Sequence, residues 1–177
     1  RSMGNTAERL AQLRQEVFRL AACARHHVIL VLNADDGLLL GEAVRSAPEG
    51  GVWAAVTDER SRERLLSQFG QLPELRVPHV LVHAGTATDQ LEKECGEIRF
   101  DRVVARNALV GLTDRTAPLA KIRDRMLPGA IAVFAETLPA GNQKLYDLLP
   151  EGALPASLRA AVTETEAAMG RLGLPGG

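Results

Sequence analysis

The chain has 177 residues, 46% of them hydrophobic, and a formal net charge of −1. That length and apolar content can fill the core of one domain. A charge this near zero gives no reason to expect direct nucleic-acid binding or an anionic membrane surface as partner.

No apolar stretch approaches the length of a membrane span, and no signal peptide is visible. Cys23 and Cys95 are far apart, with no paired spacing for a disulfide framework or metal site, which favours a reducing, cytoplasmic setting. The opening "RSM" reads as a cloning remnant, so the chain is expected to be an excised domain. Basic clusters at 60–64 ("RSRER") and 121–125 ("KIRDR") interleave with acids, the pattern of solvated helix faces.

Residues 5–24 place Leu10, Leu13, Val17, Leu20 and Ala21 at helical spacing, with Asn5 or Thr6 as N-cap. "VILVL" (28–32) has no polar interruption, as expected of a strand buried on both faces of a parallel sheet. A short helix over 38–47 ends at the turn signal "PEGG" (48–51). A strand is predicted over 52–57, then a helix over 59–70 with Leu65, Leu66 and Phe69 on one face. Further strands follow at 79–85 and 100–106. A helix over 117–129 turns Leu119, Ile122 and Met126 inward and stops at Pro128-Gly129, and a fifth strand covers 130–137. The tail, 142–173, carries two helical patterns before a frayed "GLPGG" end. The expected layout is an N-terminal helix (1–27), a core (28–140) and a C-terminal helical segment (141–177). The core reads as α/β: a Rossmann-like, doubly wound, mainly parallel sheet of about five strands with flanking helices.

Such sheets bind ligands beyond the carboxyl ends of their strands, where strand order reverses. Four strand exits therefore matter: 33–37, 57–59, 84–89 and 105–109. No Gly-x-Ser-x-Gly elbow, Walker A loop or Cys-x-x-Cys is present. His26 and His27 would point to opposite faces if extended, which argues against a shared metal.

The order of motifs resembles a class I S-adenosylmethionine-dependent methyltransferase. "VILVLNADDGLLLGEAV" matches the position of that family's first motif and "VWAAVTDERSRERL" its second strand. "FDRVVARNALVGL" is similar to its fourth-strand motif, and "LAKIRDRMLPGAIAVFAET" to the helix and turn before the fifth strand. The resemblance covers roughly 28–138. More narrowly, "EGGVWA", "RFDRVVARN" and "PGAIAVFAETLP" followed by "LYDLL" are similar to a methyltransferase-like domain fused behind a replication-associated recombination AAA+ ATPase.

The resemblance implies S-adenosylmethionine as cofactor, along Asn33, Ala34, Asp35, Asp36 and Gly37. Asp58, beside Glu59, would hold the ribose; Gly85 and Thr86 would lie near the adenine, and Arg106 and Asn107 would face an unknown acceptor. The catalytic residues are left open. The family's turn reads acid-x-Gly-x-Gly-x-Gly, and here Asn33, Asp35, Gly37 and Leu39 take the acid and three glycine places. Leu39 could turn into the core. The carboxylates of Asp35 and Asp36 would repel a phosphate but not a cationic sulfonium. Three alternatives stand beside that assignment: "NADD" as an Asx-type turn capping the next helix, Thr86 or Thr88 as a helix cap, and Asn107 as a helix cap. No aromatic near 105–109 could stack a flipped base, and the tetrad of base-methylating relatives is absent. The family's closing antiparallel hairpin has no counterpart after 137, and the resulting open edge would suit a homodimer. Two readings follow: a working methyltransferase, or a non-catalytic interaction module of a larger AAA+ ATPase-linked protein.

Overall fold

The computed structural model describes residues 2–83 and 87–137. Gly85, Thr86, the side chains of Thr88 and Asp89, and the expected C-terminal segment 141–177 lie outside the described residues. Among the described residues five parallel strands form one sheet: β1 (Val28–Leu32), β2 (Gly51–Val56), β3 (His79–Val82), β4 (Phe100–Arg106) and β5 (Met126–Ala135). Their order is β3-β2-β1-β4-β5. Among the described residues five α-helices connect or precede them: α1 (Ser2–Ala21), α2 (Leu38–Ser46), α3 (Glu59–Phe69), α4 (Ala87–Glu94) and α5 (Thr116–Asp124).

The uninterrupted apolar strands are explained by a core on each face. Successive β1 side chains point to opposite sides. Ile29 and Val31 join Leu13 and Val17 of α1, Leu40 and Val44 of α2, and Leu65 of α3. Leu30 and Leu32 join Leu91 of α4, Phe100 and Val103 of β4, and Leu119 and Ile122 of α5. Leu39 is buried in the first of these clusters, so its bulk at the third glycine place of the turn is absorbed by the core.

β1 and β4 match their predicted ranges, and the other elements differ at their ends. α1 begins at Ser2, ahead of the expected Asn5 or Thr6 cap, because apolar spacing marks only the part of the helix nearest the core, which it enters at Leu13. β3 ends at Val82 rather than 85. α5 stops at Asp124, and Met126 opens β5 instead of facing inward from a helix. Pro128 disfavours helical geometry at the residue before it and cannot donate a helical hydrogen bond. The chain leaves α5 with Arg125 N–H donating to Ile122 O, and then pairs Met126 with Phe100. A register shift follows between Phe100 and Arg102, the latter pairing Ile131, so "LPG" is absorbed as an irregularity inside β5.

Candidate functional site

Strand order reverses between β1 and β4, whose carboxyl ends deliver Asn33 and Arg106-Asn107 side by side. The two exits are stitched together. Asn33 adopts a left-handed conformation (φ 51°), and its amide donates to Arg106 O at 2.8 Å and Asn107 O at 3.3 Å. Arg106 reaches back to Asp36, Nη1 to Oδ2 at 2.6 Å, with the two side chains 31% and 47% exposed. At that exposure the pair contributes up to about 1 kcal/mol, and it locates Asp36 over the switch point more than it stabilises the fold.

The turn between β1 and α2 is built from its own side chains. Ala34 N–H donates to Ala55 O, which continues the β1–β2 ladder one step past the strand. Asp36 Oδ1 accepts from Leu38 N–H at 2.9 Å, the Asx arrangement anticipated for "NADD". Gly37 has φ 73°, and a Cβ there would lie 3.1 Å from Leu65 Cδ2, so conformation and space both call for glycine.

Asp35 points toward β2. Its Oδ1 accepts from Thr57 N–H at 2.9 Å and from Thr57 Oγ1 at 2.5 Å, and Arg64 of α3 donates to the Asp35 carbonyl. Its other carboxylate oxygen, Oδ2, is buried and has no hydrogen-bond partner among the described residues. Asp58 caps α3, its Oδ1 accepting from Ser61 N–H at 2.7 Å. That bond holds the exposed Asp58 carboxyl below its usual range. Glu59 pairs with Arg62 at 2.5 Å.

Asn107 is no helix cap. It is left-handed (φ 52°), its N–H donates to Ala135 O, and its Oδ1 accepts from Thr137 N–H at 2.8 Å. α5 starts nine residues later, with Asp114 Oδ1 accepting from Thr116 N–H. Asn107 therefore ties the β4 exit to the β5 exit.

Sequence reasoning missed Glu136, the buried charged residue at the β5 exit, 3% exposed. Its Oε1 accepts from Ala108 N–H at 2.9 Å and Leu109 N–H at 3.2 Å, and Oε2 also meets Leu109 N–H at 3.2 Å. Burial pushes its carboxyl up to about 7, although the Leu109, Ala108 and Val110 N–H groups and Arg115 oppose the shift. An acidic residue closing an apolar strand at the same edge as 33, 57 and 106 was the available signal. Thr57 and Arg64, which hold Asp35 in place, were also missed. Among the described residues no cluster of His, Cys, Asp or Glu is arranged to hold a metal, and no helix is long and apolar enough to cross a membrane.

No family model and no curated protein matches the sequence. Solved structures do match. The chain is similar to coclaurine N-methyltransferase bound to N-methylheliamine and SAH (TM-score 0.58, 14% identity, covering 71% of this chain and 35% of that one). It is also similar to the CcbJ methyltransferase from Streptomyces caelestis (0.55, 19%, 70% and 47%). A third match is the glycopeptide N-methyltransferase MtfA (0.54, 16%, 76% and 55%). The chain thus spans between about a third and just over half of these enzymes. At such identities the likeness is one of fold: the five-stranded parallel sheet with flanking helices is the Rossmann-like fold of S-adenosylmethionine-dependent methyltransferases.

Proposed function

We propose that the domain binds S-adenosylmethionine at the switch point and presents its methyl group to an acceptor near Arg106 and Asn107. The fold supports the ligand class, and one observation supports the place: Asp35 Oδ2, buried at the turn between the β1 and β2 exits without a partner. A buried carboxylate oxygen lacking a donor is costly. A ribose hydroxyl or an ammonium group would supply the missing donor. The role the resemblance assigned to Asp58 passes to Asp35 in this reading, because Asp58 is engaged by α3. The ligand supplies an electrophilic methyl on its sulfonium. The chain's part is to hold donor and acceptor in line, which needs few side chains.

A second reading rests on how fully the rest of the turn is satisfied. Asn33, Asp36 and Asp58 each have protein partners. A turn satisfied without ligand at all these positions suits a non-catalytic module of a longer protein, AAA+ ATPase-linked as the sequence resemblance implies. Equilibrium dialysis with labelled S-adenosylmethionine separates the two. The first reading expects saturable retention by the wild type, kept in Asp58→Ala and lost in Asp35→Asn. No retention by folded wild type at millimolar ligand leaves the second.

A further inference from the structure

A groove of about 320 Å³ lies among the helices that cover one face of the sheet, between α1, α2 and the end of α3. Leu10 and Leu38 give it apolar walls, Gly37 and Gly41 an open floor, and Arg14, Arg45 and Gln68 hydrogen-bond donors. Its charges do not cancel. Asp36, on its rim, is balanced by Arg106 at 2.6 Å. Arg14 and Arg45 share a single carboxylate, Glu42, and they share it unequally. Arg45 Nη2 meets Glu42 Oε2 at 2.5 Å, whereas Arg14 Nε, itself buried, stands 3.5 Å from the same oxygen and makes no hydrogen bond among the described residues. The groove therefore carries one guanidinium's worth of positive charge beyond what its carboxylates neutralise, and Arg14 is the loosely held member.

Gly41 sits inside α2, where glycine costs about 1 kcal/mol relative to alanine. A Cβ there would meet Arg45 Nη1 at 3.8 Å and Phe69 Cζ at 4.0 Å, ordinary contact distances, so packing alone does not demand glycine. Leaving the position bare keeps the floor open.

We propose that this groove binds a small organic monoanion, a carboxylate with a short apolar chain: the carboxylate on Arg14, the chain against Leu10 and Leu38. Carboxylate geometry matches the paired donors of a guanidinium, and one excess positive charge suits one negative charge. A dianion would meet the Asp36 carboxylate at the rim. The site adjoins the switch-point turn through Asp36 and Gly37 but needs no ligand there, so it stands or falls independently of the cofactor reading.

Amide chemical shifts of Gly37, Leu38 and Gly41 report on the groove directly. Sodium butyrate, n-butanol and butylammonium chloride are titrated at matched ionic strength. Butyrate is expected to give saturable shifts in the millimolar range, the other two none that saturate. Arg14→Gln, a change at a partly exposed side chain, should weaken butyrate at least tenfold. Gly41→Leu, which fills the floor on a helix that tolerates leucine, should do the same while keeping the dispersed spectrum of the fold. Shifts that rise linearly without saturating would overturn the proposal. So would equal responses to butyrate and butylammonium, or an Arg14→Gln titration that superimposes on the wild type.

Discussion

Glutamate 136 offers a quantitative test of how the β4 and β5 exits are held. Unfolded, the carboxyl would titrate near 4.5; folded, burial lifts it to about 7. Between those values the native state binds one more proton than the unfolded state, so stability falls as pH rises, at most by about 1.4 kcal/mol per pH unit. Across the whole interval the loss is about 3 kcal/mol, a large part of a small domain's total. The side chain is almost fully buried, so solvent screening takes little from that figure. Glu136→Gln removes the titration and keeps the shape, while one of its two groups can still accept from Ala108 and Leu109 N–H. Urea denaturation of both proteins from pH 4.5 to 8 gives the difference, in which contributions from every other group cancel. The stability of the variant relative to wild type should climb by about 3 kcal/mol over this range. Whatever constant offset the altered hydrogen bonding adds is the same at each pH. Parallel pH profiles, or a wild type that gains stability relative to the variant as pH rises, would refute the burial argument.

Other expectations follow from the same packing. Phe100→Ala empties a site with no exposed surface beneath β4 and should cost about 3–5 kcal/mol by denaturant midpoint. Gly50→Ala would place a Cβ 1.9 Å from His27 O, so the turn before β2 must move; a loss of about 3 kcal/mol or more is expected, read as a large drop in Tm. Asp58→Ala removes the α3 cap and should lower the denaturant midpoint at neutral pH. Because the folded Asp58 carboxyl titrates below its unfolded value, that contribution is present above the unfolded pKa and should vanish on acidification through the folded one.

β1 was legible as an apolar run bounded sharply by His27 and Asn33, whereas β4 carries Asp101, Arg102 and Arg106 around Val103-Val104-Ala105 and was legible through its likeness to the fourth-strand motif. The α5–β5 boundary was not legible, since Met126 and Leu127 continue the helical apolar spacing and only the pairing of Met126 with Phe100 decides against it. The site was legible as a place rather than as a set of bonds. Asn33 and Arg106 were both named, but their contact joins residues more than seventy positions apart through a conformation, φ 51° at Asn33, that no local pattern announces. The same holds for Asp35 and Thr57: the turn residue was seen, its partner just past the end of β2 was not. Asp58 has a chain position that suits a ligand and a carboxylate that also caps the helix that follows.

Calorimetric titration with S-adenosylhomocysteine, run on wild type and on Asp35→Asn, decides whether the turn after β1 holds the ligand through Asp35. Micromolar binding by the wild type, about −8 kcal/mol, is expected, with a loss of at least tenfold in the variant at unchanged Tm. Absence of heat from folded wild type at millimolar ligand, or equal affinity in the two proteins, would contradict it.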